Sequence, residues 1–312
     1  MLGIKIIGTG RCLPEKVVTN DDLSKIVDTN DEWISTRTGI KQRYHCVDEL
    51  NWQLACGAAK KAIENSGIDK NQIGALIVAT FTPDYATPSV ACFLQRELGL
   101  PTNIPAFDLS AACAGFLYGL RISAALLQDE ERPYALVIGS EQISTRMDME
   151  DRGTCVLFGD GAGAAVVAKN PDKKFYGVWG AEGMPEALGC PGQAFEKQHI
   201  YMDGKLVFKF AVSRMSEAAR QVLEQAGLSL EDVDYVVCHQ ANERIIKSVV
   251  KQLRAPEEKF YKNIHKYGNT SAASIPIALD EMNELGMFKE GTKVLLVGFG
   301  AGFTWAGMLL EF

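Results

Sequence analysis

The 312-residue chain lacks the residue patterns on which several classes of function depend. Its eight cysteines are Cys12, Cys46, Cys56, Cys92, Cys113, Cys155, Cys190 and Cys238, and no two are closer than ten positions. That spacing excludes CxxC redox pairs and zinc-ligand pairs, and it suits free thiols in a reducing compartment. Basic residues are in deficit, 32 Lys and Arg against 39 Asp and Glu, for a net charge of −7. Nucleic-acid phosphates need a basic surface, so nucleic acid is not an expected partner. No apolar run approaches the ~20 residues that cross a bilayer, so no membrane is implied. The opening residues, Met1 to Gly8, have neither the length nor the flanks of a signal peptide. The expected location is therefore the cytoplasm. No segment is low in complexity, and no flexible linker stands out.

What is present is an ordinary globular balance, 47% hydrophobic and 23% charged residues. Short apolar runs at 4–7, 76–80, 106–109 and 135–139 read as buried strands. Helical periodicity covers 52–66, 91–98 and 113–127, the first closing at Gly67 as a C-cap. The alternation predicts an α/β fold with buried, largely parallel strands.

The second half of the chain repeats the first. The helix at 58–68 matches 218–228 at an offset of 160, and each leads into a similar strand. Ser110-Ala111-Ala112-Cys113 matches Ser271-Ala272-Ala273-Ser274 at 161, the strand ending at Gly139 matches 294–298 at 159, and 4–7 matches 164–167. Four matches in one order predict two similar halves, 1–170 and 171–312, about a pseudo-twofold axis. The polar stretch 169–174 suits the boundary.

Small residues surround Cys113 in the run from Asp108 to Tyr118, where a helix begins. A helix N-terminus favours thiolate over thiol, and its N–H groups can receive an oxyanion. On this run alone, an accessible nucleophile and a buried core cysteine both remain open. His239 follows a strand at its C-terminal end, where α/β folds place site residues, though a core histidine would look the same. Asn269 stands ahead of the second small-residue run, as a cap, a turn residue or a site residue. His45, His199 and His265 read as solvated surface. Gly159-Asp160-Gly161-Ala162-Gly163 leads into a strand rather than a helix, which argues against a dinucleotide loop and for a tight turn between layers.

Several segments together resemble the β-ketoacyl-acyl-carrier-protein synthase III family, which begins bacterial type II fatty-acid synthesis. They are Asp31-Glu32-Trp33-Ile34 with Arg37-Thr38-Gly39-Ile40, Ala112-Cys113-Ala114-Gly115-Phe116, Asp151-Arg152, His239-Gln240-Ala241-Asn242, Tyr267-Gly268-Asn269-Thr270-Ser271-Ala272, and Gly300-Ala301-Gly302-Phe303-Thr304-Trp305. The resemblance runs from end to end and implies the thiolase fold, an α/β architecture of five layers in αβαβα order. It implies a decarboxylative Claisen condensation of an acyl-CoA primer with malonyl-acyl carrier protein. Cys113 would be the acylated nucleophile, with His239 and Asn269 donating to the enolate oxygen. The backbone N–H groups of Cys113 and Ala301 would form the oxyanion hole. No metal and no cofactor are implied, coenzyme A being part of a substrate, and the family is homodimeric.

For coenzyme A the resemblance points to Thr29, Trp33, Arg37 and Arg152 at the nucleotide. Gly204, Phe208, Ala241 and Asn242 would follow the pantetheine arm. Carrier-protein docking falls to Gln240 and to Arg244, Lys247 and Lys251, the last three spaced along one helical face. Lys209 and Arg214 would extend that patch, with Glu243 a departure that weakens it. Ala301 stands where the family usually has glycine. Thr87 stands where many members have an aromatic closing the partner's acyl pocket, so a longer or branched primer is expected. Related condensing enzymes of secondary metabolism and a non-catalytic acyl-CoA or carrier binder are the alternatives. A degradative thiolase is disfavoured because no cysteine follows Cys238.

Overall fold

In the computed structural model, which describes residues 2–129 and 131–312, two mixed sheets carry the chain. Up to Lys174 the order is β1 (Leu2–Cys12), β2 (Lys16–Thr19), α1 (Asn20–Leu23), α2 (Asp31–Thr38), β3 (Gln42–His45), α3 (Asn51–Ser66), β4 (Ile73–Ala79), α4 (Val90–Leu98), β5 (Ala106–Leu109), α5 (Gly115–Asp129), β6 (Tyr134–Glu141) and β7 (Gly161–Lys174). Beyond it follow β8 (Tyr176–Ala181), β9 (Leu188–Gly189), β10 (Tyr201–Met202), α6 (Gly204–Ala226), β11 (Tyr235–Cys238), α7 (Glu243–Leu253), α8 (Ile264–Tyr267), α9 (Ser274–Glu284), β12 (Lys293–Gly300) and β13 (Thr304–Glu311). The chain passes from the first sheet to the second between Lys174 and Tyr176, and the polar run 169–174 is the end of β7.

The first sheet has the order β1-β7-β6-β4-β5 and the second β11-β12-β13-β8. Largely parallel strands were expected, and the sheets are mixed. β4 is parallel to β5 and β6, and β11 to β12. β7 and β13 are antiparallel to both of their neighbours. The cause is connectivity: a parallel neighbour needs a crossover of a dozen or more residues, whereas a short link returns the chain antiparallel, as 301–303 does between β12 and β13.

Both faces of each sheet are covered, which is why the strands read as continuous apolar runs rather than alternating ones. Leu76 and Val78 of β4 pack with Leu54, Ala58 and Leu94 of α3 and α4. Ala75 of the same strand packs with Phe116 and Leu120 of α5. Across α5 and α9, the second sheet presents Val237, Val294, Leu296 and Met308 to the same core. Its other face, with Val236, Leu295 and Val297, meets Met215, Val222 and Ile246 of α6 and α7. The layers are therefore α3/α4, sheet, α5/α9, sheet, α6/α7. No helix among the described residues is long and apolar enough to cross a membrane.

Strand registers define the duplication. Leu76 lies opposite Leu136 in the first sheet, as Val236 lies opposite Leu295 in the second. Gly139 opposite Gly163 corresponds to Gly298 opposite Ala306. The fifth strand of the first sheet survives in the second only as a parallel bridge from Val236 to Phe260. Two of the sequence matches change. Residues 4–7 and 164–167 are not equivalents but partners in one sheet, Ile6 facing Val167, and the counterpart of β1 is β8. The small-residue runs align at 159 rather than 161: Ala112 and Ser271 each open a 3-10 turn with positive φ, +46° and +50°. The counterpart of Cys113 is then Ala272, and Ser274 corresponds to Gly115.

Both turns lie at the interface of the two sheets. A Cβ on Gly139 would strike the carbonyl oxygen of Ala272, and one on Gly163 would come 2.6 Å from the backbone nitrogen of Ile277. The glycines of the segment 159–163 thus serve mainly the strand β7, whose backbone lies against α9, rather than a tight turn. Gly139→Ala is expected to lower the unfolding free energy by about 1–3 kcal/mol, the usual range for overpacking. The readout is a lower urea midpoint at unchanged slope, with Gly183→Ala, which faces open space, as the unaffected control.

Candidate active site

Where the two turns meet, a cavity of about 1010 Å³ opens between the sheets. Cys113, His239, Asn269 and Ala301 all border it. Cys113 is the middle residue of the 3-10 turn Ala112–Ala114, directly ahead of α5. The end of β12 is pressed against it: a Cβ on Gly300 would lie 2.6 Å from the Cys113 backbone nitrogen. Only a glycine allows that approach. Ala301 follows at once, so the two N–H groups expected to receive an oxyanion belong to adjoining backbone.

Burial pushes the Cys113 thiol up to about 12, and the nearby Ser271 hydroxyl pulls the other way. The sequence had suggested that the helix N-terminus would leave a thiolate. Desolvation works in the opposite direction, towards the thiol, at a Cys113 that is partly buried and opens to the cavity.

His239 extends β11 by one residue, its N–H donating to Val297 O at 2.8 Å. The imidazole is almost wholly buried, edge-on to Phe299, and burial pushes its pKa down to about 3. Its Nδ1 lies 2.6 Å from Ser274 Oγ, and Nε2 is buried without a partner. The Gln240 N–H donates to the same Ser274 oxygen at 3.4 Å. Ser274 Oγ accepts from Gln240, and with its hydroxyl donating to Nδ1 the hydrogen of the neutral ring sits on Nε2. Asn269 is held by its backbone to Leu157 and Gly159. Its Oδ1 accepts the Ser271 N–H at 2.9 Å, so Nδ2 is the end not committed to the backbone. The turn role and the site role of Asn269 coincide.

Among the coenzyme A residues, Arg37, Gly204, Phe208, Ala241 and Asn242 border the cavity, whereas Thr29, Trp33 and Arg152 lie beyond its mouth. Trp33 stands near the start of α2, its N–H capped by Asn30. The guanidinium groups of Arg37 and Arg152 each lie 4.7 Å from its ring. Thr29 Oγ1 is buried with no partner.

The docking patch is smaller than expected. Arg244, Lys247 and Lys251 are exposed on α7, and Arg244 reaches the cavity mouth. Lys209 is exposed on α6. Gln240, by contrast, is buried, donating to Cys238 O and accepting from the Asn263 N–H, and cannot meet a partner. Arg214 is spent on Glu182 and Glu217, both at 3.0 Å. Glu243 pairs with Lys247 at 3.0 Å and Lys262 at 3.5 Å, so its negative charge offsets Lys247 more than Arg244. Thr87 is exposed and does not border the cavity of this single chain.

Of the other histidines, His199 and His265 are exposed, but His45 is buried in β3 beside Phe158 O, where a strand pairing and not its polar neighbours decides its exposure. Glu141, Ser271 and Ser274 are the site residues that the sequence reading did not assign. A carboxylate directly after the apolar run of β6 was a signal for the first, since strand ends are where α/β sites form. Among the described residues no group of three or more His, Cys, Asp or Glu is placed to hold a metal ion.

Comparison with known proteins matches this chain to the 3-oxoacyl-[acyl-carrier-protein] synthase III model over residues 107–183 and to that family's C-terminal model over 223–312. It is 46% identical to the β-ketoacyl-[acyl-carrier-protein] synthase III of Clostridium acetobutylicum, over 100% of this chain and 99% of that one. Against the Clostridium botulinum Loch Maree protein it is 47% identical over 98% of each. The solved synthase III of Aquifex aeolicus superimposes with a TM-score of 0.94 at 46% identity, covering 99% of this chain and 100% of that one. The priming β-ketosynthase of the R1128 polyketide pathway gives 0.93 at 36%, covering 99% and 96%. With fold, site and relatives in agreement, the chain belongs to the β-ketoacyl-[acyl-carrier-protein] synthase III family, condensing enzymes of the acyltransferase type that act in fatty-acid synthesis.

Proposed function

We propose that Cys113 takes an acyl group from an acyl-CoA primer and that malonyl-acyl carrier protein then condenses with it. The observation that carries the reading is the convergence of Cys113, the unpartnered Nε2 of His239 and Asn269 at one cavity. The Cys113 sulfur attacks the primer thioester, and coenzyme A leaves. Malonyl thioester enters next, and the His239 Nε2–H and Asn269 Nδ2–H donate to its carbonyl oxygen as carbon dioxide departs. A neutral imidazole suits this step, since it stabilises the enolate without protonating it. The carbanion attacks acyl-Cys113, and the oxyanion in both acyl transfers faces the N–H groups of Cys113 and Ala301. The two thioesters supply all the carbon atoms of the reaction.

Trp33, with Arg37, Arg152 and Thr29, is the proposed seat of the nucleotide, and Gly204, Phe208, Ala241 and Asn242 line the pantetheine route. Arg244, Lys247, Lys251 and Lys209 are the proposed contacts of the acidic carrier. The working form is proposed to be a cytoplasmic homodimer in which Thr87 faces the partner's acyl pocket. Phe81, Leu188, Phe195 and Ile200 give that pocket apolar walls, and a threonine at the lid leaves room for more than two carbons.

Four outcomes are expected. Incubation with butyryl-CoA adds a butyryl mass to Cys113 in the intact protein. Cys113→Ala shows neither adduct nor condensation, and condensation retained in that variant would overturn the mechanism. In a panel of donors, turnover with C4–C8 and branched acyl-CoA exceeds that with acetyl-CoA, and a strong preference for acetyl-CoA would sink the lid argument. The last outcome concerns His239, whose pKa burial pushes down from the ordinary 6.5 to about 3. Between those values the unfolded chain binds the extra proton, so this group makes stability rise with pH by ~1.4 kcal/mol per pH unit and then level off above the unfolded value. His239→Gln removes that part of the slope in urea titrations at pH 4, 5, 6 and 7.

A further inference from the structure

The reaction as proposed leaves one demand unmet. The Cys113 thiol must lose its proton to attack, and in the tautomer proposed for enolate binding, with Ser274 donating to Nδ1 and the ring hydrogen on Nε2, His239 has no free acceptor nitrogen. Glu141 is a buried carboxyl that the reaction does not use. It ends β6, its side chain fully out of solvent. Oε2 accepts from Thr82 Oγ1 at 2.6 Å, and from Thr80 Oγ1 and the Phe81 N–H at 3.2 Å each. Oε1 accepts from Ser271 Oγ at 3.1 Å. That hydroxyl borders the same cavity as Cys113 and acts on its thiol. Cys113 and Cys190 are the titratable groups facing the carboxyl, and none of the ion pairs among the described residues includes it.

We propose that Glu141 is the proton acceptor of the Cys113 thiol, acting through the Ser271 hydroxyl. The inference rests on the reading above, in which Cys113 is acylated by a thioester. Ser271 donates to the Glu141 carboxylate, and in the relay the thiol donates to Ser271 Oγ. As the sulfur bonds to the primer carbonyl carbon, its proton passes to Ser271 Oγ and the Ser271 proton passes to Glu141. The tetrahedral adduct collapses by breaking the bond to the coenzyme A sulfur, which leaves as thiolate and is protonated from water. In the condensation the Cys113–carbonyl bond breaks, and Glu141 returns its proton to the departing thiolate by the same path. One proton from water is consumed over the cycle, matching the loss of one carboxylate as carbon dioxide. Burial raises the Glu141 carboxyl to about 7, against the hydrogen bonds that pull it down, so it can both take and return a proton near neutrality. The thiol stays the weaker acid, so the proton moves with formation of the C–S bond and not ahead of it.

The two turns explain the placement. By strand register, Glu141 in β6 is the counterpart of Gly300 in β12. One half presses a bare backbone against the nucleophile, and the other extends a carboxylate to the opposite turn. Positive φ at Ser271 opens the turn that carries the hydroxyl between the two groups.

The test separates the half-reactions. Single-turnover acylation by butyryl-CoA, read by intact mass, is expected to slow at least tenfold in Glu141→Gln, and as much in Ser271→Ala, with no further loss in the double variant. Glu141→Asp is expected to recover part of the rate. Decarboxylation of malonyl-acyl carrier protein by the unacylated enzyme should change less than twofold. Alkylation of Cys113 by iodoacetamide should lose its inflection near neutral pH in Glu141→Gln. Acylation at the wild-type rate in both single variants would overturn the relay, as would an equal loss of decarboxylation, which marks a structural role. If Glu141→Gln does not fold, Ser271→Ala decides alone. A wild-type protein that forms no adduct on Cys113 would instead defeat the acyl-enzyme reading on which the relay stands.

Discussion

The contact on which the site depends is the meeting of two left-handed turns between the sheets. Ala112 and Ser271 hold positive φ without being glycine, a conformation that costs energy unless the surroundings fix it. The surroundings are strand ends that approach to backbone contact, Gly300 against Cys113 and Gly139 against Ala272. This is also why small residues fill both turns. A large side chain at Ala111, Ala114, Ala272 or Ala273 would separate the sheets and pull the nucleophile away from Ala301.

Burial then sets the ionisation of everything the turns bring together. It raises the Cys113 thiol and the Glu141 carboxyl and lowers His239, each time favouring the uncharged form. These shifts favour an uncharged thiol and an uncharged imidazole and bring the carboxyl to about 7. A polar but largely neutral site suits a reaction whose charge appears mainly in the transition state, because hydrogen-bond donors already aimed at a developing oxyanion need no reorganisation. The same desolvation makes the resting thiol a poor nucleophile, and that conflict is what gives Glu141 a chemical role.

The sequence carried much of this, unevenly. Cys113, His239, Asn269 and Ala301 were legible because their motifs are contiguous and each lies at a strand or helix end. The five layers were legible through the family resemblance, with which the duplication into two similar halves agrees. Strand direction was not, since apolar runs look alike in parallel and antiparallel sheets when both faces are covered. The match of 4–7 with 164–167 failed for a related reason: two short strands of similar composition are as easily neighbours as equivalents. Gln240 read as a surface residue from its place beside a cationic helix, yet its amide is consumed by backbone groups on three sides. Exposure of a single polar residue is decided by tertiary neighbours that no local pattern encodes.

Duplication also explains why the site is asymmetric although its scaffold is nearly symmetric. The shift from 161 to 159 in aligning the turns places Ala272, not Ser274, opposite Cys113, so the second half has no vestigial nucleophile. Instead its turn carries the serine hydroxyl, its strand end carries the histidine, and the first residue of its helix orients that histidine. Glu141 and Gly300 complete the division at matching positions of β6 and β12. Neither half could do both jobs, because a side chain at Gly300 would collide with the Cys113 backbone and a glycine at Glu141 would leave the Ser271 hydroxyl without its acceptor. Two copies of one supersecondary unit, facing each other across an axis, let one strand end make room for the nucleophile while its twin supplies the group that takes the proton.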